Sequence, residues 1–296
     1  MHIGAINYWD SFMLELESRL AHSSMAQPPI AISTRYPVMI IGGAEDKTDK
    51  RAILAAFYES AGGKDAVIGI IPAASREPAA VGDRYYQIFT SMGAKQVQVL
   101  DIRHREECDE ARWLDVIEKC TGIFVTGGDQ VRLCDLLGDS HLIKRIKQKI
   151  HSGQIALAGT SAGAAMMGER MIAGGSSGES PNASLVDLSF GLGVVPELLV
   201  DQHFHNRNRM ARLLSAVSAN PDKLGIGIDE DTCIALKDDG TFEVIGKGVV
   251  TIVDPGDLTH TSYPQASETS PLSLHNLKLH VLKQGDRYNY KKRAVL

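Results

Sequence analysis

The sequence predicts an α/β fold: a mostly parallel sheet with helices on both faces and extra strands towards the C-terminus. Three observations carry this. From residue 37, short apolar, β-branched runs alternate with amphipathic helical stretches, the pattern of parallel strands buried under crossover helices. The connections between them are short. After residue 193 the apolar runs crowd together with one helix among them, as partly antiparallel strands do.

The elements follow in order. "VMIIGG" (38–43) is a strand closed by glycines, and "DKRAILAAFYESAGG" (49–63) has helical spacing and a Gly-Gly stop. "AVIGIIPAAS" (66–75) is a buried strand, and "PAAVGDRYYQIFTSMGA" (78–94) a helix opened by proline. "QVQVLDI" (96–102) and "TGIFVTGGD" (121–129) are strands on either side of helical "ECDEARWLDVIEKC" (107–120). Helical "QVRLCDLLG" (130–138) and "HLIKRIKQKIHSG" (141–153) precede the strand "QIALAG" (154–159). "SAGAAMMGERM" (161–171) reads as a helix. Beyond it, "VVPELLVDQHF", "LGIGI", "TCIALK", "TFEVIGKG" and "VVTIVD" read as strands, with a helix at about 206–219 and a polar loop at 257–273.

Residues 1–36 read as an N-terminal extension and linker, open to being partly disordered or non-native, and residues 37–296 as one catalytic α/β domain. Trp9, Phe12, Met13, Leu16 and Leu20 recur at helical spacing within the extension, and Met25 is an alternative start. That segment has neither the basic leader of a signal peptide nor an apolar run long enough for a membrane span.

With 44% hydrophobic and 23% charged residues, the composition is that of a soluble globular protein. A net charge of −5 gives no reason to expect nucleic acid as a partner. The four cysteines, Cys108, Cys120, Cys134 and Cys233, form no C-x-x-C pair. They read as buried thiols in a reducing, cytoplasmic compartment. No cluster with metal-ligand spacing is visible, and no cofactor is expected.

"GTSAGAAMMG" (159–168) places Ser161 just after a buried strand, where functional groups gather in a parallel sheet. G-x-S-x-G is the pattern of a nucleophile elbow: the serine occupies a strained turn, so its neighbours must be small. The plain alternative is a packing turn. A second glycine turn, "TGGDQ" (126–130), ends another buried strand and lets backbone approach closely, as an oxyanion-binding strand end requires. A serine nucleophile needs a base, and the base an orienting group. His203 and His205 follow the apolar run "ELLV", and "GIDED" (227–231) ends the next strand with Asp229, Glu230 and Asp231. The spacing does not choose among them.

In "DQHFHNRNRMARLL" (201–214), Arg207, Arg209 and Arg212 crowd a predicted helix start, where the helix dipole disfavours each cation by ~0.3–1 kcal/mol. The plain reading is a solvated basic surface. The sharper one is recognition of a carboxylate-rich substrate by arginine forks.

These stretches, with "IIGGAEDK", "GIIPAASREP", "LAGTSAGAAMM", "IAGGSSGE" and "PLSLHNL", resemble the cyanophycinases, serine hydrolases related to the aspartyl dipeptidase peptidase E. The resemblance covers roughly residues 38–296; the family usually lacks an N-terminal segment of this length. It implies a fold like the class I glutamine amidotransferases, flavodoxin-like, with serine in place of cysteine. It also implies Ser161 as nucleophile, His203 as base, Glu230 as orienting acid, and the N–H groups of Gly128 and Ala162 as oxyanion hole. Its pocket positions fall on Gln130, Glu179, Asp201, Gln202, Arg207, Arg209 and Arg212. The arginines are expected to meet substrate carboxylates, and Glu179 and Asp201 to meet guanidinium groups. The implied substrate is cyanophycin, poly-aspartate with arginine on each side-chain carboxyl, cut to β-aspartyl-arginine. The implied assembly is a homodimer. The rival functions are an aspartyl dipeptidase and a non-catalytic protein that binds acidic peptides.

Overall fold

The computed structural model describes residues 36–296; the expected helix around Trp9–Leu20 lies outside them. The first half of the chain alternates as the sequence predicts. It runs β1 (Val38–Ile41), α1 (Ala52–Ser60), β2 (Val67–Ile71), α2 (Pro78–Ser91), β3 (Gln96–Val99), α3 (Ala111–Lys119) and β4 (Gly122–Val125). Next come α4 (Gln130–Leu137), α5 (His141–His151), β5 (Ala156–Thr160) and α6 (Ala162–Ala165). The second half holds β6 (Arg170–Gly175), β7 (Val186–Phe190), β8 (Leu198–Gln202), α7 (Met210–Ala219), β9 (Leu224–Ile228), β10 (Thr232–Leu236), β11 (Thr241–Gly246) and β12 (Val250–Asp254). The chain closes with β13 (His260–Thr261), β14 (Leu274–His275), β15 (Lys278–Leu282), β16 (Arg287–Asn289) and β17 (Ala294–Val295).

Among the described residues the central sheet has nine strands, in the order β17-β16-β11-β10-β1-β5-β4-β2-β3. The five from β1 to β3 run parallel, and β10, β11, β16 and β17 extend the sheet antiparallel from β1. Strands β1, β4 and β5 are buried at every position, which explains their unbroken apolar runs. Helices α1 and α2 cover one face through Leu54, Phe57, Tyr85 and Phe89. There Phe57, Phe89 and Phe124 pack ring to ring at 5.4–5.5 Å, and truncating one such ring to alanine costs about 3–5 kcal/mol. Helices α3, α4 and α5 cover the other face through Trp113, Ile117, Leu133, Ile143 and Ile146. A second sheet, β15-β12-β9-β8, pairs β8 and β9 in parallel, with α7 as their connection. Leu213 and Val217 of α7 join the cluster that includes Leu199 and Val253.

Two regions differ from the sequence expectation. The helix after Ser161 spans only Ala162–Ala165, because the chain turns at Gly168, where a β-carbon would lie 2.2 Å from the carbonyl oxygen of Leu198. Arg170 and Met171, expected at the end of that helix, start β6. The β6–β7 hairpin carries a register shift between Ile172 and Gly174, which breaks the alternation that would mark it as strand. The polar stretch 257–273 contains the short strand β13.

Candidate active site

Strands β1, β5, β8 and β9 end side by side, and the turn at Gly42-Gly43 stitches their ends together. The carbonyl of Ile41 accepts from Ser161 N–H at 3.0 Å, that of Gly42 from His203 N–H at 2.8 Å, and that of Gly43 from Asp231 N–H at 2.9 Å. Three loops carrying candidate residues thus hang on three consecutive carbonyls.

Ser161 has φ 54° and ψ −110°, a conformation sparsely populated by non-glycine residues. It is the strained elbow that the glycine and alanine neighbours predict. Its hydroxyl donates to Nε2 of His203 at 3.0 Å. Nδ1 of His203 lies 2.6 Å from Oε1 of Glu230. An ionised carboxylate only accepts, so Nδ1 carries the proton and Nε2 offers its lone pair to the serine. His203 is only 8% exposed. Burial pushes its pKa below the ordinary histidine value, helped by the charges of Arg207 and Arg209 and opposed by Glu230. A neutral imidazole is thereby favoured near pH 7, as a general base requires.

Three adjacent acids have three different partners. Asp229 Oδ1 accepts from the backbone N–H of His205 and lies 2.9 Å from its Nδ1, while Oδ2 holds Val249 N–H. Asp231 takes Asp46 N–H and pairs with Lys247. Glu230 faces His203, and its own N–H donates to Asn206 Oδ1. The geometry therefore distinguishes two histidines that the spacing alone leaves equivalent.

Gly128 sits beside this line with φ 146°, and a β-carbon there would lie 2.1 Å from Ala74 O; only glycine fits. The N–H groups of Gly128 and Ala162 meet no acceptor among the described residues. Gln130 is tied by its amide nitrogen to Ala173 O at 2.6 Å and Ile172 O at 3.3 Å. Gln202 Oε1 is 3.5 Å from the Ser161 hydroxyl.

The basic segment divides. Arg207 is exposed, and its guanidinium has no ion pair among the described residues. Glu179, also exposed, is equally unpaired, on a loop held by a hydrogen bond from Ser177 to Arg207 O. Arg212 is buried and grips Asp201 with Nε at 2.9 Å and with a second, shorter bond. Arg209 reaches the same carboxylate at 3.5 Å and bonds to Gln202 O. The sequence expectation gives Asp201 a substrate guanidinium and Arg212 a substrate carboxylate; in this structure each has the other as its partner. With Arg209, the pair holds the backbone just before His203.

The Gly42-Gly43 turn and Asn206 were not identified from sequence as parts of the site. The turn had a signal, since "IIGG" ends a buried strand much as "VTGG" does. Burial pushes the Cys108 and Cys120 thiols up to about 11, so neither is poised as a nucleophile. Among the described residues no group of three or more His, Cys, Asp or Glu is arranged to hold a metal ion, and no helix is long and apolar enough to cross a membrane.

A sheet of this kind, with an elbow serine facing a histidine and a carboxylate at its strand ends, has the arrangement of a serine hydrolase. The chain belongs to Peptidase family S51, whose sequence profile matches residues 38–244. It is 57% identical over 264 residues to the cyanophycinase of Trichormus variabilis, covering 89% of each chain. It is 58% identical over 257 residues to the cyanophycinase of Geminocystis herdmanii, covering 87% of this chain and 94% of that one. A crystal structure of a peptidase from an acI-B1 actinobacterium shares the fold, with a TM-score of 0.61 at 21% identity, over 85% of this chain and 96% of that one.

Proposed function

We propose that this protein is a serine-type exopeptidase that hydrolyses cyanophycin to β-aspartyl-arginine dipeptides, with residues 37–296 as one catalytic domain. The carrying observation is the continuous line from Ser161 through His203 to Glu230, at 3.0 and 2.6 Å. The substrate follows from the names of the relatives. Unpaired Arg207 and Glu179 suit a polymer that bears both carboxylates and guanidinium groups.

His203 takes the serine proton as Ser161 Oγ attacks a backbone carbonyl of the polymer. The N–H groups of Gly128 and Ala162 receive the oxyanion. The imidazolium, stabilised by Glu230, then protonates the leaving amine and releases it. Water repeats the sequence on the acyl-enzyme: His203 takes its proton, and Ser161 leaves with the proton returned. The four cysteines, free in the structure, suit a reducing cytoplasm. A homodimer completes the proposal on the strength of the family resemblance, and light scattering tests it.

Incubation with cyanophycin granules and, separately, with free aspartyl dipeptides tests the activity. Release of β-aspartyl-arginine from granules supports the proposal. Cleavage of the dipeptides alone favours a dipeptidase, and cleavage of neither favours a protein that only binds acidic peptides.

A further inference from the structure

Arg76, on the loop between β2 and α2, takes no part in the line just described. It is exposed, and no carboxylate among the described residues pairs with it. It lines a hollow with Ala74, Gly128, Asp129, Gln130 and Ala173, so the hollow shares Gly128 with the proposed oxyanion hole. The loop that carries Arg76 is fixed. Ser75 N–H donates to Pro72 O at 2.9 Å, Glu77 N–H to Ser75 Oγ at 3.0 Å, and Asp129 N–H to Ala74 O at 2.9 Å. The last of these ties the arginine loop to the oxyanion loop.

The other polar groups of the hollow are largely committed. Asp129 Oδ1 caps α4, accepting from the N–H groups of Val131 and Arg132 at 2.9 and 3.1 Å. Gln130 has spent its amide nitrogen on two carbonyls, so its Oε1 is left as an acceptor. The hollow thus offers one planar cation with no ion pair among the described residues, one fixed acceptor, and the Asp129 carboxylate, whose Oδ1 is held by the start of α4. Arginine in such a position takes a carboxylate through a two-pronged contact.

Cyanophycin restricts which carboxylate that can be. Its α-carboxyls are consumed in the backbone and its side-chain carboxyls in the bond to arginine. Apart from the chain end, the free carboxylates are those of the arginyl branches. We propose that this hollow is a substrate subsite in which Arg76 binds the carboxylate of an arginyl branch next to the scissile bond, while Gln130 Oε1 accepts from a neighbouring donor. The inference rests on the proposed substrate.

The test uses a synthetic β-aspartyl-arginine tetramer and the same tetramer with its arginine carboxylates converted to primary amides. Wild type is expected to favour the carboxylate form in kcat/KM by on the order of tenfold or more, chiefly through KM, the scale of a charge-assisted hydrogen bond. Arg76→Gln should remove that preference by losing only on the carboxylate form, and Arg76→Lys should restore part of it. Fluorophosphonate labelling of Ser161 should be equal in all three proteins. The subsite is overturned if Arg76→Gln keeps the wild-type preference, or loses equally on both tetramers. If wild type cleaves neither tetramer, the proposed substrate itself fails, and the subsite with it.

Discussion

The imidazole of His203 lies against the α-carbon of Gly43: a methyl group there would sit 2.4 Å from both Cε1 and Nε2. Gly43 also has φ 98°, a conformation that side chains resist. Gly43→Ala must therefore displace the ring, and Nε2 is the atom that faces Ser161. A misplacement of about 1 Å costs on the order of a hundredfold in rate, so kcat/KM should fall at least that far. Backbone strain should lower stability by about 1–3 kcal/mol. Steady-state kinetics beside a urea melt checks both, and near-normal turnover would show that His203 has room to retreat without loss.

Ser161→Ala should fold normally and lose at least about three orders of magnitude in turnover, because members of such a set act as a unit. A fluorophosphonate should label wild type at Ser161 alone. The strained φ adds a second expectation. Ser161→Gly relieves a conformation that costs on the order of 1–3 kcal/mol, against about 0.5–1 kcal/mol for the added chain freedom. It should melt no lower than Ser161→Ala. A clearly lower Tm for the glycine variant would remove strain as a property of the elbow.

The pH profile carries the signature of buried His203. Its pKa is lowered, first by burial, and the neutral form is the active one. Activity should therefore persist below the ordinary histidine value and fall away only on further acidification. Glu230 raises that pKa, so Glu230→Gln should move the acid limb of kcat/KM to still lower pH while reducing the maximum. A limb that shifts upward would mean that Glu230 does not face the titrating base.

His205 and Asp229 should behave differently from His203 and Glu230. Asp229 is engaged by both the backbone and the ring of His205 and by Val249 N–H, so it shapes the loop rather than the proton path. His205→Ala keeps the backbone bond and should retain measurable turnover, whereas His203→Ala should abolish it. Product release from cyanophycin by each variant decides. An active His203→Ala with a dead His205→Ala would reverse the assignment.

The legible parts of this molecule were those set by local chemistry. Buried strands announce themselves in "VMII" and "IFV", and the elbow in the small residues around Ser161, because each demands particular side chains within a few positions. What stayed hidden depends on distance in the chain. Asp229 and Glu230 are chemically alike and adjacent, so local chemistry does not separate them; the family resemblance implies Glu230, and the way β8 and β9 end brings its carboxylate to His203. The fate of Asp201 was equally unreadable, since its partner Arg212 lies eleven residues on, across a turn whose path the spacing does not fix. The β6–β7 hairpin escaped because its glycines and its bulge erase the alternation that betrays a strand.

The arginine segment gives the sharpest division between binding and stability. Arg207 is exposed and has no ion pair among the described residues. Arg207→Gln should leave stability within about 0.5 kcal/mol yet weaken substrate use by ~1.5–3 kcal/mol, the scale of a hydrogen bond to a charged group. Arg212 differs because its partner Asp201 is only 1% exposed. Arg212→Gln leaves that carboxylate without its closest cation, and breaking a buried pair from one side costs about 3–5 kcal/mol. Asp201→Asn strands Arg212 in the same way and should cost a similar amount. Removing both charges at once, as in Asp201→Asn with Arg212→Gln, should cost less than the sum of the single changes, because neither member of the closest pair is then left charged opposite a lost partner, and only Arg209, which keeps its bond to Gln202 O, loses a carboxylate. Urea melts of the four proteins give the coupling, and kcat/KM on soluble cyanophycin separates Arg207 from the other two positions. If Arg212→Gln melts like wild type while losing substrate selectively, the carboxylate of Asp201 is not held by Arg212 in solution, and Arg212 returns to the list of residues that touch substrate.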